Sequence, residues 1–135
     1  MSNKTILVVD DEAAQRRLIR EILKTQAYTV FEAEDYDDAL AVQLRHLGTI
    51  HLLLIDLSLP GGSGYDLSMA MLAVEPHLKV LFVSGRAGAE LCKFFEMQNT
   101  DMQFLQKPFQ PAELLRRVKS VLESSDPAAD RAVAS

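Results

Sequence analysis

The chain has 135 residues, 48% hydrophobic and 24% charged, the composition of one ordinary globular domain with no room for a second catalytic or DNA-binding unit. Its 14 basic and 19 acidic residues leave a net charge of −5, which argues against nucleic acid or an anionic membrane as the main partner, because both require clustered Lys and Arg. The lone Cys92 excludes an internal disulfide and a zinc cluster and points to a reducing, cytoplasmic compartment; no apolar run approaches a signal-peptide core or the ~18 residues of a membrane span.

The first apolar run, residues 6–9, has the length of a buried strand and is followed by Leu18, Ile19, Ile22 and Leu23 at helical spacing. A second strand is expected over 28–31, then a helix carrying Tyr36, Ala39, Leu40, Gln43, Leu44 and Leu47. Further strands fall at 52–55, 80–83 and, more weakly, 104–105, each separated from the next by a segment of helical length. The last helix is the clearest. Leu114, Leu115, Val118, Val121 and Leu122 share one face, Pro111 stands near its start where a missing N–H costs nothing, and Lys119 lies in its last turns.

Strands that are apolar throughout are covered on both faces, and strands alternating with helices become parallel neighbours through right-handed crossovers. The expectation is a doubly wound, five-stranded parallel α/β sheet, whose ligand site lies outside the carboxyl ends of the strands. Residues 1–123 form the domain, and 124–135, rich in Ala, Ser and Asp with Pro127, read as a frayed tail or the stub of a linker.

Asp10, Asp11 and Glu12 follow the first strand, Asp56 the third, Ser84 and Gly85 the fourth, and Lys107 the fifth. Taken singly, an N-cap, two turn residues and a solvated lysine would account for them. Together they crowd three carboxylates on one edge, where like charges destabilise one another unless a cation intervenes. Three carboxylates and one lysine sum to −2, which Mg²⁺ would neutralise, and hard oxygen donors suit Mg²⁺ rather than zinc. His46, His51 and His77 show no metal-ligand spacing. A carboxylate beside such an ion is a competent nucleophile toward a phosphoryl group, and Asp56 is best placed for it. Lys107 supplies fixed positive charge for the phosphoryl oxygens and Ser84 a hydroxyl to bond one of them. The loop of Pro60, Gly61, Gly62, Ser63 and Gly64 makes a tight turn past which a donor can approach.

The stretches ILVVDDE (6–12), LLLIDLSLPGGSG (52–64), VLFVSG (80–85) and FLQKPF (104–109) resemble, in order and spacing, the receiver domain of bacterial two-component response regulators, a CheY-like family, over roughly residues 5–123. The resemblance implies a flavodoxin-like (βα)5 fold with strand order 2-1-3-4-5. It makes Asp56 the phosphorylated aspartate, Asp10 and Asp11 the acidic pair with Asp11 a direct Mg²⁺ ligand, and the Ser58 carbonyl a third protein ligand. Lys107 becomes the phosphate-pairing lysine, Ser84 the switch hydroxyl and Phe104 the switch aromatic, and the Lys107–Pro108 peptide bond is commonly cis in the family. Ser58 and Arg86 flank the path of attacking water. The protein would be a phosphoacceptor that assists its own phosphorylation and dephosphorylation, not a turnover enzyme.

By the same resemblance the donor is a phosphohistidine on a sensor histidine kinase or phosphotransfer protein. The output is a downstream effector or attached domain, controlled through the surface of the fourth helix, fifth strand and fifth helix, near Phe94, Phe95 and Met97. Arg16, Arg17 and Arg20 beside the acidic edge either dock the donor or form a solvated helix face. Met1 and the short leader favour an N-terminal receiver, whereas Ser84-Gly85 resembles receivers of hybrid kinases. Departures from the family pattern are Ser63 before Gly64, Gly85 in place of an alanine, and Gln98-Asn99-Thr100-Asp101 before the fifth strand. A haloacid-dehalogenase-type hydrolase would need an Asp general acid where Ser58 stands, and a flavin phosphate would face three carboxylates. A degenerate receiver used only for docking usually loses part of the acid pair, acceptor or lysine, all of which are present.

Overall fold

The computed structural model describes residues 4–57, 59, 64–85 and 103–124. Strand β1 (Thr5–Val9) leads into helix α1 (Ala13–Lys24), β2 (Thr29–Ala33), α2 (Tyr36–Arg45), β3 (Leu52–Asp56), α3 (Gly64–Val74), β4 (Lys79–Ser84), β5 (Gln103–Gln106) and α4 (Pro111–Glu123). The five strands form one sheet in the order β2-β1-β3-β4-β5, and every neighbouring pair is parallel. The helix expected between β4 and β5 falls on 86–102, outside the described residues, so the expected fifth helix is α4 here.

The strand period of two divides the core between the sheet faces. Leu7, Val9, Leu53, Ile55 and Phe82 pack with Ala39 and Val42 of α2 and Leu67 and Met71 of α3. Ile6, Val8, Leu52, Leu54, Leu81 and Val83 pack with Ile19, Ile22 and Leu23 of α1 and Leu114, Val118 and Val121 of α4. Both sets are almost fully excluded from water, at ~1.5–3 kcal/mol for each large aliphatic side chain relative to leaving it exposed. This two-sided burial is why β1, β3 and β4 carry no polar alternation.

Two expectations need correction. The second strand runs Thr29–Ala33 rather than 28–31: it pairs only with β1, so as an edge strand it accommodates the polar Glu32, which lies opposite Val8. Leu18 of α1 and Leu44 and Leu47 near the end of α2 are more than half exposed, since each helix covers the sheet with one stripe and α2 stops at Arg45. Gln43, by contrast, is fully buried. Its Nε2 donates to the Met71 carbonyl at 3.0 Å and to Glu75 Oε1 at 2.9 Å, tying α2 to the end of α3. The Lys107–Pro108 peptide bond between β5 and α4 is cis.

Candidate functional site

Parallel strands that all end on one edge deliver their last residues to a common rim. Asp10 directly follows β1; its N–H donates to the Ala33 carbonyl at 3.2 Å, and its Oδ1 accepts the Glu12 N–H at 2.9 Å. Asp56 ends β3, and Lys107 directly follows β5 with its N–H on the Ser84 carbonyl at 2.7 Å. The Lys107 Nζ lies 2.9 Å from Asp56 Oδ2 and 3.6 Å from Asp10 Oδ2. Asp10, Asp11 and Asp56 each bring a carboxylate oxygen to within 4.8 Å of the others. The Asp10 side chain is buried, that of Asp56 is 12% exposed, and Asp11 is exposed.

Two like charges at such a separation repel by ~3 kcal/mol at an effective dielectric near 20, and by less at the exposed Asp11. Burial pushes the Asp10 carboxyl above the ordinary 3.8; the Glu12 N–H and Lys107 oppose this, and the charges of Asp56 and Asp11 add to it. At Lys107 burial disfavours the cation, but the Asp56 hydrogen bond and the charges of Asp56 and Asp10 outweigh it and raise its pKa above 10.5. A lysine fixed as a cation therefore sits against carboxylates whose mutual repulsion it only partly offsets. A dense set of hard oxygen donors, one of them buried, joined by neither His nor Cys among the described residues, fits Mg²⁺ with room for its waters. The histidines lie elsewhere: His46 stacks on Phe31 at 4.2 Å, and His51 Nδ1 accepts the Thr5 N–H.

Ser84 is fully buried at the end of β4, paired in register with Gln106. Phe104 is buried in β5, its ring 5.2 Å from Phe82, and its carbonyl accepts from Arg117 of α4 at 2.8 Å. The Gly64 N–H donates to the Leu57 carbonyl, which brings the start of α3 so close to β3 that a Cβ at Gly64 would overlap the Asp56 carbonyl oxygen. The structure thus joins Asp10, Asp11, Asp56 and Lys107 in one cluster and sets Ser84 and Phe104 on the two adjoining strands. Ser58, Pro60, Gly61, Gly62, Ser63, Arg86, Phe94, Phe95, Met97, residues 98–101 and the tail from 125 lie outside the described residues.

Two participants were not legible as such. Glu32 of β2 binds Arg16 Nε at 3.1 Å and Arg20 at 2.7 Å, and Arg16 also donates to the Asp10 carbonyl at 2.7 Å. Arg16 and Arg20 are therefore engaged with their own fold, and of the three helix arginines only Arg17 is exposed. An Arg one helical turn beyond the acid pair, with a lone Glu in an apolar strand, was the available signal.

A doubly wound parallel sheet with an acidic, lysine-bearing carboxyl edge defines a class, and comparison with known proteins narrows it. Residues 6–119 match the family model of the response regulator receiver domain. The chain is 35% identical over 122 residues to the transcriptional regulatory protein ResD of Bacillus subtilis, covering 90% of this chain and 49% of that protein. It is also 35% identical over 128 residues to the phosphate regulon transcriptional regulatory protein PhoB of Pseudomonas aeruginosa, covering 94% and 55%. The chain thus spans about half the length of these curated relatives. Among solved structures, the receiver domain of NtrX from Brucella abortus matches with TM-score 0.78 at 30% identity, covering 89% of this chain and 99% of that one. A CheY-like receiver domain protein from Methanospirillum hungatei matches with TM-score 0.77 at 30% identity, covering 90% and 95%.

The chain belongs to the response regulator receiver domain family, the phosphoacceptor switches of two-component signalling. Members of this family generally bind Mg²⁺ at an acidic pocket, and Asp10, Asp11 and Asp56 form such a pocket here. No helix among the described residues is long and apolar enough to cross a membrane.

Proposed function

We propose that the chain accepts a phosphoryl group on Asp56 from a phosphohistidine of a sensor histidine kinase or phosphotransfer protein. The observation that carries this reading is the Asp56 carboxylate, 2.9 Å from Lys107 and within 4.8 Å of two further carboxylates at the open end of a parallel sheet. An Asp56 oxygen attacks phosphorus, the P–N bond to the donor imidazole breaks, and the imidazole nitrogen keeps the electron pair. Asp10, Asp11, Asp56 and the carbonyl of Ser58 would hold Mg²⁺, which offsets the charge of the carboxylates and of the arriving phosphoryl oxygens. Lys107 pairs with one of those oxygens.

Phosphorylation converts one negative charge at Asp56 to about two at neutral pH and adds acceptor oxygens. Ser84 and Lys107 close on them, the segment after β4 is drawn in, and Phe104, stacked on Phe82, follows. The surface made by the segment between β4 and β5, by β5 and by α4 thereby shifts between two populations and controls an effector or attached output domain. Residues 1–123 form the receiver unit and 124–135 lead out of it. The setting is cytoplasmic, and dephosphorylation is assisted by the same site.

Incubating the protein and Asp56→Asn with a small phosphodonor, with and without Mg²⁺, and weighing both intact tests the reading. The expected result is a metal-dependent phosphate adduct on the parent alone. An equal adduct on the variant, or turnover of a free phosphate ester surviving in it, would overturn the assignment.

A further inference from the structure

Among the described residues, the turn that carries the acid pair has few internal supports. Glu12 occupies the N-cap of α1 but makes no side-chain cap bond, so the turn rests on the Asp10 N–H to Ala33, on Asp10 Oδ1 to the Glu12 N–H, and on the Asp10 carbonyl. That carbonyl accepts one guanidinium nitrogen of Arg16 at 2.7 Å, while Arg16 Nε binds Glu32 at 3.1 Å on the neighbouring strand. Arg20 grips the other Glu32 oxygen at 2.7 Å and Glu21 at 3.2 Å. The Arg16 side chain is only 17% exposed.

We infer that Arg16 is a positioning residue for the divalent-ion site: aimed by Glu32, it clamps the Asp10 carbonyl and so holds the Asp10 and Asp11 carboxylates beside Asp56 against their repulsion. Two features separate this from an ordinary surface ion pair. The fork is divided between a carboxylate and a backbone carbonyl, which the single ammonium of a lysine cannot match in geometry. The charges of Arg16, Arg20, Glu21 and Glu32 also cancel, so the clamp adds no net positive field to oppose a divalent cation. Groups that orient metal ligands from behind typically change metal affinity 10–100-fold when removed. The inference rests on the proposed use of Asp10, Asp11 and Asp56 for Mg²⁺.

Mg²⁺ titration followed by amide chemical shifts and by calorimetry, on the parent, Arg16→Met, Arg16→Lys and Glu32→Gln, tests it, with a melting curve recorded for each. Arg16→Met is expected to weaken Mg²⁺ about 10-fold, Arg16→Lys to recover only part of the loss, and Glu32→Gln to weaken it in the same direction while keeping the arginine. Lower melting temperatures with unchanged Mg²⁺ affinity would reduce Arg16 to a structural ion pair and overturn the inference. If Arg16→Met does not fold, Arg16→Lys and Glu32→Gln carry the same decision. A parent that binds no Mg²⁺ would instead refute the underlying reading of the carboxylates, and Asp11→Asn, expected to lose the ion, marks that outcome.

Discussion

At Asp10 the folded state holds a proton more tightly than the unfolded chain does, because burial and the nearby carboxylates disfavour its charge. The ionised form at neutral pH therefore costs stability. Asp10→Asn removes the charge and keeps an oxygen to accept the Glu12 N–H. We expect this variant to melt at a higher temperature than the parent at pH 7 while losing Mg²⁺-dependent phosphorylation, as calorimetry and intact mass would show; a lower melting point would contradict the account of the cluster. His51 works in the opposite sense. Burial and then Lys4 lower its pKa from 6.5, and its Nδ1 accepts the Thr5 N–H at 3.0 Å; Lys4, Glu75, His77 and Lys79 line the same recess. The unfolded chain thus binds the proton more readily, so stability is full above pH 6.5 and is lost as pH falls from there through the folded pKa. Denaturant melts between pH 7 and 5 should show this loss in the parent and a flatter profile in His51→Asn, whose amide oxygen can still accept the Thr5 N–H.

Elements that bury one stripe or one strand were the legible ones, because their period is written in consecutive residues. Residues 6–9 and 52–55 announce strands covered on both sides, and the α4 face of Leu114, Val118 and Val121 is buried as its spacing implies. What escaped depends on partners distant in sequence. Gln43 falls on the inward stripe of α2 by its spacing, but the Met71 and Glu75 acceptors that satisfy its amide N–H groups are not written beside it, and Glu32 sits in a strand because two arginines of α1 reach it. The entry to α3 is set in the same non-local way, by the contact of Gly64 with the carbonyl of Asp56. Because the obstructing atoms belong to the β3 backbone, Gly64→Ala must displace either the helix start or the residue that carries the acceptor. The expected cost is about 1–3 kcal/mol in denaturant melts, together with slower phosphorylation of Asp56 by a small donor. Wild-type stability and rate in that variant would show that the α3 entry is free to adjust.

For the molecule as a whole, topology places the site where it weakens the apo fold. The candidate residues could be read from sequence because every parallel strand ends on the same edge; the support behind them, from Arg16 to Glu32, required the β1 and β2 register. Asp10, Asp11, Asp56 and Lys107 carry a net charge of −2 within a few ångströms, so a divalent cation that binds only the folded chain should restore stability as well as create the site. Linkage sets the amount: at ten times its dissociation constant such an ion contributes about 1.4 kcal/mol, or roughly 4–6 °C in Tm for a chain of this size. Salt alone also screens like charges, so the comparison is MgCl₂ against NaCl at matched ionic strength. The parent should melt higher with Mg²⁺ by that increment, and Asp11→Ala should not. Asp10→Asn should begin higher than the parent and gain less, because relief of repulsion and loss of a ligand come from the same substitution. An equal Mg²⁺ increment in all three proteins would place the ion elsewhere on the acidic surface and remove the link between the edge charges and the fold.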